Sequence, residues 1–210
     1  MNTSGSNISK LALALSFALL LSSNTNVGAS GEKDELSAKK QLDRGNTVVS
    51  TEQKSNGHRW VKAKILIKAS AHVVWDTVHE ERQHDPDLEY SKILNHADNN
   101  ATLEQKFSLI PIIGTAVCVM KNREVPNERI DYNMVSSDRF KAMEGSWVLT
   151  PGSDQNSTYL ELSSYLDTGL PITRPLVEGV TARKLQRRVT NVKNMAEAMQ
   201  HRVAQGATIK

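Results

Sequence analysis

Over residues 90–168 the chain passes through six segments rich in β-forming side chains, and only turns or short connections separate them. SKILNHA runs through DNN to ATLEQKFSLI, and PIIG leads on to TAVCVMKNREV. PNE then joins RIDYNMVSS, DRFKAME joins GSWVLT, and PGSDQN joins STYLELSSYL. Parallel neighbours need crossovers of a dozen residues or more, so links this short restrict the segments to an antiparallel sheet. Alternation assigns their faces. Leu103, Phe107 and Leu109 share one face of their strand, as do Ile130, Tyr132 and Met134, and then Leu160, Leu162 and Leu166. The sheet therefore has an apolar side that needs a cover.

The cover is written at the end of the chain. After the GLP break at residues 169–171, Val177, Thr181, Leu185, Val189, Val192, Ala196, Met199 and Val203 follow at three- and four-residue steps. That is the stripe of an amphipathic helix of about seven turns. Gly179 inside it costs ~1 kcal/mol relative to alanine.

Upstream, NTVVST and HRWVKAKILIK flank the turn QKSNG and read as a hairpin. Ser70 is a suitable N-cap for a short helix whose Val73, Val74, Thr77 and Val78 fall on one face, and Pro86 stops its continuation. The order is two strands, a short helix, a run of strands and one long helix. This predicts an α+β fold in which a curved antiparallel sheet wraps around a long C-terminal helix. One helix cannot fill such a sheet, and the space left over is an apolar cavity, the usual place for a small ligand. Leu103, Phe107, Leu109, Tyr132, Met134, Trp147 and Leu162 from the sheet, with Val177, Thr181 and Leu185 from the helix, are the residues expected to line it. The alternative is that these side chains simply fill the core.

The N-terminus is of another kind. Lys10 precedes the apolar run at residues 11–21, and small polar residues follow up to Val27 and Ala29, which stand at the positions of a cleavage site. This is the pattern of a secretory signal peptide over residues 1–29, and it predicts a protein exported to a periplasm or the exterior. A run of eleven residues, ten of them apolar, falls short of the roughly twenty that span a bilayer. Residues 30–45 are charged and poor in apolar side chains, which predicts a flexible leader. The folded domain is then placed at 46–203, with a tail at 204–210. Cys118, the sole cysteine, cannot form an internal disulfide and sits in the apolar stretch TAVCVM as a small buried side chain.

Charge is distributed unevenly. The net formal charge of +3 conceals a C-terminal segment, from residue 174 on, with eight Lys or Arg against Glu178 and Glu197. Residues 79–90, HEERQHDPDLEY, hold two histidines and five carboxylates. His79 and His84 are five apart, which turns them off a common helix face, and no further ligand completes a metal set. The stretch reads as a solvated helix end and an Asp-Pro turn, forming a polar rim for the cavity. The basic face of the last helix, with Arg183, Lys184, Arg187 and Arg188, reads either as a solvated surface or as a contact for anionic lipid head groups. No aromatic interleaving or recognised motif supports a nucleic-acid partner.

The stretch ILIKASAHVVWDTV, then EGSWVLTP, then a leucine-rich strand ending in GLP before a long basic helix, resembles the START-like (SRPBCC) superfamily. Within it, the similarity is to the branch of polyketide cyclase/dehydrase and lipid-transport proteins that includes coenzyme Q-binding proteins. Ala69, Ala71 and Trp75 match an A-x-A-x-x-V-W pattern, and Gly145, Ser146 and Trp147 a second one. The resemblance implies the helix-grip fold over roughly residues 46–203. It also implies binding, and transport, of a hydrophobic small molecule such as a lipid, isoprenoid or quinone. Where relatives carry an aromatic, proline-rich stretch at the cavity mouth, this chain has EERQHDPDLEY. Two other roles stay open. One is a cyclase- or dehydratase-type enzyme in which His84 or Asp85 moves a proton, and the other is a ligand-free interaction module. No cofactor, metal or catalytic set is assigned from the sequence.

Overall fold

The computed structural model describes residues 26–110, 114–171 and 173–206. By internal contacts the chain divides into a unit over Met1–Leu36 and a unit over Ser37–Lys210, and the second carries the fold. The elements in order are α1 (Asn26–Asp43), β1 (Val48–Gln53), β2 (Arg59–Ile67), α2 (Ala71–Gln83), β3 (Leu88–Ala97), β4 (Asn100–Ile110), β5 (Gly114–Val125), β6 (Arg129–Ser137), β7 (Ala142–Pro151), β8 (Thr158–Asp167) and α3 (Arg174–Ala204).

All eight strands join one antiparallel sheet in the order β1-β2-β8-β7-β6-β5-β4-β3. The crossover through α2 carries the chain from β2 to the far edge, and hairpins return it strand by strand until β8 closes against β2. Each expected strand is present, within a few residues of its expected bounds. The helices form for the reasons the pattern gives. Ser70 caps α2 by accepting from the Val73 N–H, and Val73, Val74, Thr77 and Val78 are buried on its inner face. α3 begins three residues before the apolar stripe, with Pro175 in its first turn, where a missing N–H costs nothing.

The charged leader expected at residues 30–45 is corrected by the structure, because α1 occupies most of it. Its composition of Glu, Lys, Ala, Leu and Gln favours helix even without a continuous apolar face. Leu42 is buried, and the helix ends in a Schellman turn in which Gly45, at φ +77°, donates to the Leu42 carbonyl and Asn46 to that of Gln41. The expected signal peptide lies almost wholly outside the described residues, as does most of the tail. Among the described residues no helix is long and apolar enough to cross a membrane.

The main core lies where α2 and α3 meet the β2-β8-β7 side of the sheet, with Ile65, Ile67, Trp147, Leu160, Leu162, Val189 and Val192 at its centre. A smaller cluster of Ala116, Cys118, Met120, Phe140 and Met143 sits on the inner side of β5. The C-terminal half of α3 is pinned to the β2–α2 corner. Glu197 accepts from the Lys68 N–H at 2.9 Å, Gln200 from the Ser70 N–H at 3.2 Å, and Lys193 reaches the Leu66 carbonyl. α3 packs chiefly on β2, α2 and β8, so the β3-β4-β5 half of the sheet curls past it without a helix on its inner face.

Candidate functional site

The uncovered half of the sheet leaves a cavity of about 700 Å³. Its floor is the inner face of β4 and β5, through Leu103, Phe107 and Met120, and its roof is the first half of α3, through Val180, Thr181 and Leu185. Trp147, Met143 and Leu166 close the side toward the main core. The outer lip is β3, an edge strand exposed along most of its length, where Tyr90 and Ile93 stand in solvent.

Of the residues expected to line this space, Leu103, Phe107, Tyr132, Trp147, Thr181 and Leu185 do so. Leu162 has the right face but lies under the pinned part of α3, where it is fully buried in the main core. Met134 stands opposite Met120 in register and packs against the smaller cluster. Val177 does not line the cavity, whereas Val180, three residues on, does. The Leu109 side chain lies outside the described residues.

Tyr132 spans the sheet. Its hydroxyl donates to the Ser163 carbonyl at 3.2 Å, passing over β7 at Gly145, its partner in register. A Cβ at Gly145 would collide with the tyrosine hydroxyl and with the Ser163 carbonyl oxygen, so this position needs glycine for close approach rather than for its dihedral angles. Burial pushes the Tyr132 phenol up from its ordinary pKa, which keeps it a neutral donor.

The end of the cavity under α2 is ionic, and here the two charge clusters of the sequence meet. Arg188 of α3 forms a bidentate pair with Glu81, with Nε–Oε1 at 2.9 Å and Nη2–Oε2 at 2.8 Å, and its Nη1 lies 2.8 Å from Asp85. The guanidinium also lies over the Trp147 ring, 5.1 Å from its centroid. Burial works against the Arg188 charge, but the hydrogen bonds of Glu81 and the charge of Asp85 outweigh it, and its pKa is raised. Asp87 holds Lys184 at 2.9 Å and Arg187 at 3.5 Å. Beside them Arg82 pairs with Glu124 at 3.3 Å and donates to the Asn122 amide oxygen at 2.7 Å. His79 stands 3.5 Å from the other Glu124 oxygen and edge-on to Trp75. Burial lowers its pKa from the ordinary imidazole value, partly offset by Glu124.

The expected solvated helix end is therefore corrected. Glu81 and Asp85 are buried, and most of the basic helix face is turned toward carboxylates of the same chain. Sequence reasoning missed Arg82, Asn122, Glu124, Lys184 and Arg188 as cavity residues. The available signal was the matched excess of acids at 79–90 and of bases at 183–188, each costly to bury alone and cheap to bury together. His84, one of the two proton carriers considered, sits outside the cavity with its Nδ1 against the Glu80 carbonyl. Cys118 is buried as expected, its thiol donating to Ser137 Oγ at 3.4 Å, and burial pushes its pKa up. No group of three or more potential metal ligands occurs among the described residues.

An antiparallel sheet that grips one long C-terminal helix and leaves a cavity between them is the helix-grip fold of the START-like superfamily. Solved structures agree. The chain is similar to a START superfamily protein from Mycobacterium smegmatis, at 18% identity and a TM-score of 0.54, over 70% of this chain and 99% of that one. Human StAR-related lipid transfer protein 5 matches at 12% identity and a TM-score of 0.55, over 82% and 98% of the two chains. An aromatase/cyclase from a Streptomyces species matches at 16% identity and a TM-score of 0.52, over 71% and 97%. No protein-family profile and no curated protein sequence matches the chain.

Proposed function

We propose that the protein binds a hydrophobic small molecule, a lipid, isoprenoid or quinone, in the cavity between β3-β4-β5 and the first half of α3, and carries it without making or breaking a bond. The observation that carries this reading is the cavity itself. About 700 Å³ lined by Leu103, Phe107, Met120 and Val180 is too large and too apolar to be a packing defect, which also weighs against a ligand-free interaction module. An apolar tail that buries roughly 300 Å² of its surface there gains about 7 kcal/mol before ordering costs, at the usual 25 cal/mol per Å².

A cyclase- or dehydratase-type enzyme is the second reading. What favours it is the His79–Glu124 pair facing the cavity, rather than His84 or Asp85, since Asp85 is held by Arg188. Native mass spectrometry of the purified protein, followed by organic extraction, tests the carrier. A stoichiometric apolar molecule released unchanged supports it, and a protein that emerges empty and takes up no apolar fluorescent probe refutes it.

Export and membrane contact belong to the same proposal. Export rests on the N-terminal pattern, and a mature protein beginning at Ser30 is the expected result of N-terminal sequencing. Membrane contact would fall to the exposed Arg183 and Arg202, because Lys184, Arg187 and Arg188 face carboxylates. Equal flotation with anionic and neutral vesicles at low salt would remove that part.

A further inference from the structure

We propose that the cavity selects ligands whose polar end carries no charge, such as an alcohol, a ketone or a quinone carbonyl, and discriminates against carboxylates and phosphates. This inference rests on the carrier reading above and sharpens it.

The argument is a count of charges at the ionic end. Arg188 is shared by Glu81 and Asp85, at 2.8 Å each. Arg82 is held by Glu124, and Lys184 and Arg187 by Asp87. Four carboxylates thus face four cations, and each cation already has an anionic partner from this chain. Asp98, on the exposed β3–β4 turn at the lip, adds a further negative charge. Burial lowers the pKa of His79, which disfavours its cationic form. A carboxylate or phosphate entering this space would lose its hydration and meet no cation that could be recruited without breaking a pair.

Neutral hydrogen-bonding groups are available instead. Asn122 is buried and turned so that its amide oxygen accepts from Arg82, which leaves its NH₂ with a single long contact, 3.3 Å, to the Lys121 carbonyl. An amide NH₂ has two hydrogens to donate, so one is left over on a residue that lines the cavity. Ser164 lines the same region. A ligand oxygen that accepts from Asn122 would complete a donor that the neighbouring ion pairs leave incomplete.

The test is displacement of N-phenyl-1-naphthylamine, an uncharged fluorescent probe, by dodecan-1-ol and by dodecanoate at pH 7.5, two ligands that share a tail and differ in the charge of the head. The expected result is at least tenfold tighter binding of the alcohol. Dodecanoate binding as tightly as the alcohol, or more tightly, overturns the inference and leaves the carrier reading standing. Failure of the probe itself to bind overturns both. Two variants add a second readout. Asp85→Asn frees one edge of Arg188, and Glu124→Gln frees Arg82 at a less buried place, should the first variant fail to fold. Either one is expected to tighten dodecanoate about tenfold while moving dodecan-1-ol less than threefold. If both folded variants leave the ratio unchanged, the ion pairs do not set the selectivity and the inference falls.

Discussion

Arg188 shows how much a single side chain can carry in this protein. It closes the α2–α3 contact, neutralises two buried carboxylates and caps the Trp147 ring. Replacing it with methionine leaves Glu81 and Asp85 buried without a partner, and urea unfolding is expected to show a loss of about 3–5 kcal/mol. Replacing all three residues with apolar ones of similar volume is expected to restore most of that loss, because desolvation of the pair roughly cancels its attraction. Gly145 is a second such position. Gly145→Ala forces Tyr132 and β8 apart and is expected to cost about 1–3 kcal/mol, with the loss of ligand binding as a parallel readout. His79 gives the pH dependence. Its folded pKa lies below the ordinary 6.5, so the unfolded chain binds the proton more readily and the full contribution is present only above that value. Stability is therefore expected to fall as pH drops from 6.5 toward the lower folded pKa, and His79→Gln should flatten that part of the curve. None of these roles has a local signature, for each depends on partners from another element, in the case of Arg188 and Glu81 107 residues apart in sequence.

At the scale of elements, the strands and helices follow local rules closely. Six β-rich segments joined by turns became β3 to β8, and the stripe at residues 177–203 became α3. α1 did not follow from the pattern. Its charged residues suggested a leader, whereas Leu42 and the Schellman turn at Gly45 fasten its end. Gly45→Ala, in a left-handed conformation beside Lys193, is expected to lower stability by about 1 kcal/mol, measured as a shift of the urea midpoint with an unchanged slope. The two halves of α3 differ in kind. The half from Arg188 onward is pinned by Lys193, Glu197 and Gln200, while the first half roofs the cavity and starts at Thr173 without a side-chain cap. Amide exchange is expected to be faster over residues 174–183 than over 188–200, and a bound ligand should slow the first stretch more than the second.

For the whole molecule the decisive feature is a mismatch. Eight strands make a sheet wider than one helix can cover, and the uncovered part becomes the cavity. A ligand that binds only the folded state should stabilise it by about 2.7 kcal/mol at a hundred times its Kd, and Leu103→Trp, which puts a bulkier ring into the cavity floor, should reduce that gain. The sequence by itself determined the order of the elements from β1 onward, the antiparallel sheet, the apolar faces and the helix that covers them, since all of these are periodicities within a few residues. Only the tertiary structure decided which apolar residues line space and which fill it. Leu162 and Leu103 have the same alternation, and they differ in that α3 packs in one core with Leu162 and stands across the cavity from Leu103. It also decided the fate of the charges. An acidic run and a basic run are each most cheaply solvated when considered alone, and only a fold that sets α2 against α3 makes it cheaper to bury them together.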